Sequence, residues 1–237
     1  MRKHLPRILG LLCVFAAALA VLPIFLLDTP WPSALRDLYQ AHSQNDTGAL
    51  NVVSAIYLGY RAFDTLGETV VLLIAVAGTL SILSSLAKPS LHPASSKTPD
   101  PQSPDPLELV AGKLGLVVLV FGSYVMAFGH LSPGGGFQGG VVVASGLLFL
   151  GLGERGRSSS LLTDPYFLAR LEALTFSALL GAMALGIFQG AGFLGIPGFR
   201  IFSGNAGYII CLNILLGLKV GAGIGLVCVA MIGDLHR

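Results

Sequence analysis

Charge is what this sequence has little of. Only 11% of its 237 residues are Asp, Glu, Lys or Arg, while 54% are hydrophobic. A soluble globular domain carries about 25% charged residues. The mean hydropathy of +0.79 points the same way. So few charges cannot coat a water-soluble surface of this size, and the chain reads as an integral membrane protein. A soluble enzyme and a nucleic-acid binder are thereby excluded. The net charge of +2 is too small to indicate a partner. Cysteine is scarce too, with Cys13, Cys211 and Cys228 all in apolar runs. Cys211 and Cys228 are separated by roughly 25 Å on a straight helix, so they cannot pair. No cysteine spacing suits a metal, and these residues read as small buried hydrophobes. There is no Cys-x-x-Cys, no His-Glu-x-x-His, no paired carboxylates and no Ser/His/Asp set. No cofactor or metal is therefore expected, and the chain reads as a non-enzyme.

Glycine, by contrast, is abundant at 31 residues, which in a membrane protein signals closely packed helices. The first apolar run is 8–27, preceded by Arg2, Lys3 and Arg7. It is longer than a typical signal-peptide core, so it reads as a retained span. Cleavage near Ala18 and Ala20 is the alternative. Residues 28–48, with Trp31, Tyr39 and His42, read as an external loop with an interfacial aromatic anchor. Residues 51–86 would make a helix of roughly 54 Å, too long for a core of about 30 Å. The charged stretch 61–68 interrupts them, so 70–86 nearly spans and 52–60 reads as a half-penetrating or tilted extension. A Pro/Ser-rich linker at 87–106 separates a module at 1–86 from one at 107–237. Four further apolar runs follow, at 109–128, 141–152, 168–188 and 206–232.

In the second module Lys88, Lys97, Lys113, Arg155, Arg157, Arg170 and Arg237 fall on one side and only Arg200 on the other. The basic side is cytoplasmic by the positive-inside rule. Both termini are cytoplasmic only if the first module crosses an even number of times. The expected fold is all-α, with about six transmembrane helices in two modules and seven as the alternative.

Several residues could carry chemistry. Arg61, Asp64 and Glu68 share one face of a continuous helix by their spacing. Charges inside an apolar segment mark an ion path, a relay or a structural pair; the alternative is a surface loop. His130 precedes Pro133, Gly134, Gly135, Gly136, Gly139 and Gly140 in GHLSPGGGFQGG. That run lacks the Gly-Lys-Ser/Thr ending of a phosphate loop. His130 reads either as a proton carrier or as a histidine bonded within a tight turn. Lys219 sits mid-run and must face protein or water. It either pairs with a carboxylate in a polar path or locks subunits together. Gly217, Gly221 and Gly225 form two overlapping GxxxG spacings for close helix packing. Asn213 is a polar neighbour on a different face. Glu172, near the start of its run, is either interfacial or a relay carboxylate.

The glycine motif at 129–140, with GLKVGAG at 217–223, resembles the B subunit of the multisubunit Na+/H+ antiporters of the Mrp or Mnh type. The likeness covers about 107–237. In the first module Thr47, Gly48, Ala49, Asn51, Val52 and Val53, then Arg61 and FDTLGE at 63–68, resemble the C-terminal end of the large A subunit of the same antiporters. They are also similar to the small E subunit of membrane-bound hydrogenases. The resemblance implies a subunit of a large complex in the cell (inner) membrane that exchanges Na+ for H+, alone or coupled to a redox arm. Its partners would be other membrane subunits and the lipid bilayer. It associates Arg61 and Glu68 with the ion path, and Asp64 matches as well. A purely structural anchor subunit is the alternative, and an independent small transporter is a third reading. The third is disfavoured because no internal inverted repeat is visible.

Overall fold

The computed structural model describes residues 5–26, 33–86, 106–153, 161–188 and 205–235. The linker at 87–105, Trp31, and the basic residues Arg2, Lys3, Lys88, Lys97, Arg155, Arg157, Arg200 and Arg237 lie outside them. Among the described residues there are helices and no strands. Met1–Asp37 and Leu38–Arg237 form two compact units.

Helix α1 covers Leu5–Leu26. Helix α2, Ala34–Thr47, replaces the loop expected at 28–48. Its polarity suggested a loop, but ALRDLYQAH holds no Gly or Pro and is rich in strong helix formers, so the backbone coils regardless. One turn, α3, follows at Val52–Ser54 and passes into a π-helical turn at Ala55–Tyr60. The Arg61 N–H closes the wide turn by donating to the Ile56 carbonyl at 2.7 Å. At Arg61 the backbone leaves helical geometry (φ −123°, ψ 34°), and helix α4 restarts over Ala62–Leu86. The expected break in the 51–86 run is therefore a π-turn plus one non-helical residue. Such distortions release backbone groups from the helical ladder, often at functional sites.

The remaining helices are α5 (Pro106–Phe128), α6 (Gly136–Gly153), α7 (Pro165–Phe188) and α8 (Asn205–Leu235). Among the described residues five helices are long and apolar enough to cross a membrane: 62–85, 108–128, 136–153, 165–187 and 206–232. In α1 the shorter apolar stretch is Gly10–Pro23.

Contacts set the helix directions. Gly115 lies against Gly146 and Gly122 against Gly139, so α5 and α6 run antiparallel. Gly136 meets Leu216 and Gly140 meets Val220, so α6 and α8 run parallel. In α7, Ala182 accepts from Tyr208 while Glu172 faces Lys219, so α7 runs opposite to α8. Thr69 and Val76 of α4 approach Lys219 and Gly223, so α4 is parallel to α8. Lys113 and Arg170 thus sit at one end of the bundle and the glycine loop at the other.

Half of the α8 span is buried, against 11% of the α4 span, so α8 is the central helix and α4 keeps an open face. Gly217 shows why glycine is needed on α8: an added Cβ would overlap the Met126 sulfur of α5. Gly221 and Gly225 likewise face Val143 and Leu147 of α6. The expected GxxxG surface is therefore in use inside the chain. Without a hydrophobic driving force between helices in lipid, such close approach is what holds a bundle together. The three cysteines are free; Cys13 is exposed and Cys211 and Cys228 are half-buried, not fully buried as small core residues would be.

Candidate functional site

Two apolar clusters lie at different heights along the bundle. One holds Leu58, Ala62, Leu179, Met183, Leu212 and Leu216, and the other Val76, Leu147, Leu168 and Leu226. Between them three helices place polar residues at one level: Thr65 and Thr69 on α4, Glu172 and Thr175 on α7, Lys219 on α8. All five are buried. The Lys219 amine, with no exposed surface, donates to the Thr69 carbonyl at 2.9 Å and lies 3.5 Å from Glu172 Oε1. No hydrogen-bond partner for Oε1 is found among the described residues. Gly223 makes room for it, since a Cβ there would come within 2.7 Å of that oxygen. Charged groups at such depth persist only when paired or when they face water. Glu172 is therefore in the buried layer and not at the helix surface.

At the loop end of the bundle lies a second polar centre. Pro133 and Gly134–Gly136 turn the chain from α5 into α6, with φ of +136° at Gly134 and +154° at Gly135. L side chains rarely adopt these values, which explains the adjacent glycines. The segment at 51–54 docks on this loop. Asn51 caps α3 by accepting from the Val53 N–H, and its Nδ2 donates to the Gly129 and Ser132 carbonyls, each at 2.8 Å. Ser54 Oγ donates to the Gly129 carbonyl at 2.6 Å. The His130 carbonyl accepts from the Asn51 N–H at 2.9 Å, while its ring Nδ1 donates to the Ala127 carbonyl at 3.1 Å. Gly139 and Gly140 sit one turn further on, packed against Met126 and Val220.

Tyr57 of the π-turn reaches across this loop. Its hydroxyl donates to Asn213 Oδ1 on α8, which also accepts from the Gly136 N–H at 2.9 Å. A Cβ on Gly135 would collide with the Tyr57 hydroxyl. The Tyr57 carbonyl, freed by the π-turn, accepts from the Thr65 hydroxyl.

Arg61, Asp64 and Glu68 line one groove of about 170 Å³ together with Ile56, Tyr57 and Thr65. The structure thus brings the triplet together despite the break at Arg61. Arg61 Nε donates to Asp64 Oδ2 at 2.6 Å, and both side chains are about half exposed or more. An exposed pair of this kind contributes little stability. Glu68 is exposed and is absent from the ion pairs among the described residues. No cluster of three His, Cys, Asp or Glu suited to a metal occurs among the described residues.

Sequence reasoning singled out Lys219 and Glu172 separately; their pairing across 47 positions is a product of the fold. It missed Tyr57 and Thr69, and gave no separate role to Thr65 and Gly223, which lie inside the FDTLGE and GLKVGAG runs. The signal for the threonines was their i, i+4 spacing inside an apolar run, and Tyr57 gave none.

A family described as a domain related to the MnhB subunit of Na+/H+ antiporters matches residues 106–226, and a family described as the E subunit of MBH matches residues 2–102. An uncharacterized protein of Methanocaldococcus jannaschii is 33% identical over 201 residues, covering 73% of this chain and 74% of that one. A probable A/B subunit of a K+/H+ antiporter of Rhizobium meliloti is 25% identical over 167 residues; the match covers 62% of this chain but only 17% of that protein. Among solved structures, a chain of the membrane-bound sulfane sulfur reductase, an archaeal respiratory membrane complex, superposes with a TM-score of 0.71 at 28% identity, covering 96% of this chain and 98% of that one. A chain of the Mrp complex from Dietzia shares the fold, with a TM-score of 0.73 at 22% identity, all of this chain matching 26% of it. The N-terminal part of the chain matches the family described as the E subunit of MBH, and the chain belongs to the family of domains related to the MnhB subunit of Na+/H+ antiporters.

Proposed function

We propose that this chain is a membrane subunit of a multisubunit cation/proton antiporter, or of the antiporter-like part of a redox-driven complex, and that it contributes groups to the Na+/H+ translocation path. The observation that carries this reading is the fully buried Lys219 beside Glu172, in a polar layer between two apolar clusters. A mere anchor has no need of a charged pair at that depth. Glu172 offers an exchangeable carboxylate within the bundle, and Lys219 responds to its charge. Glu68, exposed on the groove with Arg61 and Asp64 beside it, is the entry carboxylate on the loop side. Ions and protons reach these groups through hydrated gaps between this chain and neighbouring subunits. A redox arm, where one is attached, resides on other subunits. With α1 as the first of six spans, both termini face the cytoplasm, matching the lysine and arginine distribution.

A purely structural reading has its own supporting observation: Lys219 ties α8 to α4 through Thr69 and to α7 through Glu172. Two experiments test the proposal. Purification of the tagged native chain in gentle detergent should bring antiporter-like membrane subunits with it. The chain arriving alone and stable would sink the subunit reading. Glu172→Gln and Lys219→Met complexes that assemble normally should lose antiport. Loss of assembly alone, with antiport intact in whatever assembles, would leave only the structural role.

A further inference from the structure

We propose that Asn213 holds a water molecule at the inner end of a hydrated file leading from the Tyr57 groove into the bundle. Asn213 has no exposed surface, and its Nδ2 has no hydrogen-bond partner among the described residues. The amide orientation is fixed by its surroundings. Oδ1 accepts from both the Gly136 N–H and the Tyr57 hydroxyl; a flipped amide would set N–H against N–H at Gly136. Nδ2 is therefore a donor aimed at an acceptor that the described residues do not supply. Buried donors in native proteins are almost always satisfied, by protein or by ordered water.

The chemistry of the missing acceptor follows. Nδ2–H repels a bare cation and attracts an oxygen lone pair. The Gly135–Gly136 backbone and Tyr57 crowd the amide on its Oδ1 side, and a side chain with no exposed surface admits only a small acceptor, which is least costly to bury when it carries no charge. Water meets both conditions. The supply route is Tyr57, which contacts Asn213 through its hydroxyl and also lines the groove of Asp64, Thr65 and Glu68. On an ideal helix Asn213 lies about 9 Å along α8 from Lys219. The water is thus placed between the groove and the buried Glu172–Lys219 layer.

This inference rests on the ion-path reading, but its test reads hydration and not transport, so the two fail separately. In the assembled complex with Cys13, Cys211 and Cys228 replaced, Asn213→Cys and the neighbouring core variant Leu212→Cys are exposed to Ag+. Thiols still free are then counted with a maleimide after denaturation. Water access predicts that Asn213→Cys is blocked at least about tenfold faster than Leu212→Cys, since thiol capture follows access. Equal, slow reaction at both positions overturns the proposal. If the Asn213 variant does not assemble, a high-resolution map of the unaltered complex decides. Density for water within about 3 Å of Nδ2 supports the proposal, and an acceptor from another subunit, or no density, overturns it.

Discussion

Replacing Lys219 with methionine removes a charge while keeping most of the side-chain volume. Lys219 is fully buried, donates to the Thr69 carbonyl at 2.9 Å and stands 3.5 Å from Glu172. In Lys219→Met the Glu172 carboxyl stays buried without a cation. Breaking a buried pair from one side costs about 3–5 kcal/mol, because an uncompensated group is left behind. At 1.4 kcal/mol per tenfold, that is roughly two to three and a half orders of magnitude in the folded population. Replacing both partners, as Lys219→Met with Glu172→Leu, removes both charges and should recover most of the loss. Thermal unfolding of the detergent-purified complex, followed by size-exclusion chromatography, reads the effect. The expected order of stability is unaltered chain, then double variant, then Lys219→Met. A double variant no more stable than the single would refute the reasoning, since it would mean that the two groups do not depend on each other.

Gly217→Ala should destabilise the bundle by about 1–3 kcal/mol through overpacking against Met126, seen as a lower Tm. Asn51→Ala should loosen the 129–135 loop: the Ser132 carbonyl and the Val53 N–H lose Asn51 while the Gly129 carbonyl keeps Ser54, each group left unpaired costing about 1–3 kcal/mol. Faster hydrogen exchange confined to that loop is the measurement. Glu68→Gln should abolish or slow antiport with the complex still assembled, because Glu68 is exposed and no ion pair of the described residues depends on it.

Much of this architecture is written in one dimension. Apolar runs at 70–86, 109–128, 141–152, 168–188 and 206–232 point to the spans found at 62–85, 108–128, 136–153, 165–187 and 206–232, because length and hydropathy are local properties, although α4 begins eight residues before its apolar run. The break near Arg61 was visible as a charged stretch, but its form was not. Its Tyr57 bonds Asn213, a partner 156 residues away that no local pattern reveals. Helix α2 was misread because solvated helices have loop-like composition. GxxxG spacing on α8 identified a packing face, while its partners on α5 and α6 required the fold. For the site, Lys219 and Glu172 each stood out as charges in apolar runs. That they share one layer with Thr69 follows from α7 running antiparallel, and α4 parallel, to α8. Gly223 carried no signal of its own, since its role is the space it leaves for a carboxylate oxygen.

The most direct measurement is antiport by purified complexes carrying Glu172→Gln, reconstituted into vesicles and compared with Glu172→Asp. Glutamine keeps the shape and leaves the Lys219 bond to the Thr69 carbonyl in place, so the complex should assemble, at some cost in stability from the uncompensated Lys219 charge. A group in the path must exchange its charge, which the amide cannot do. The expected result is an intact glutamine complex with antiport lost, and partial activity with aspartate. Normal antiport by the glutamine complex would contradict the claim that this buried pair belongs to the ion path.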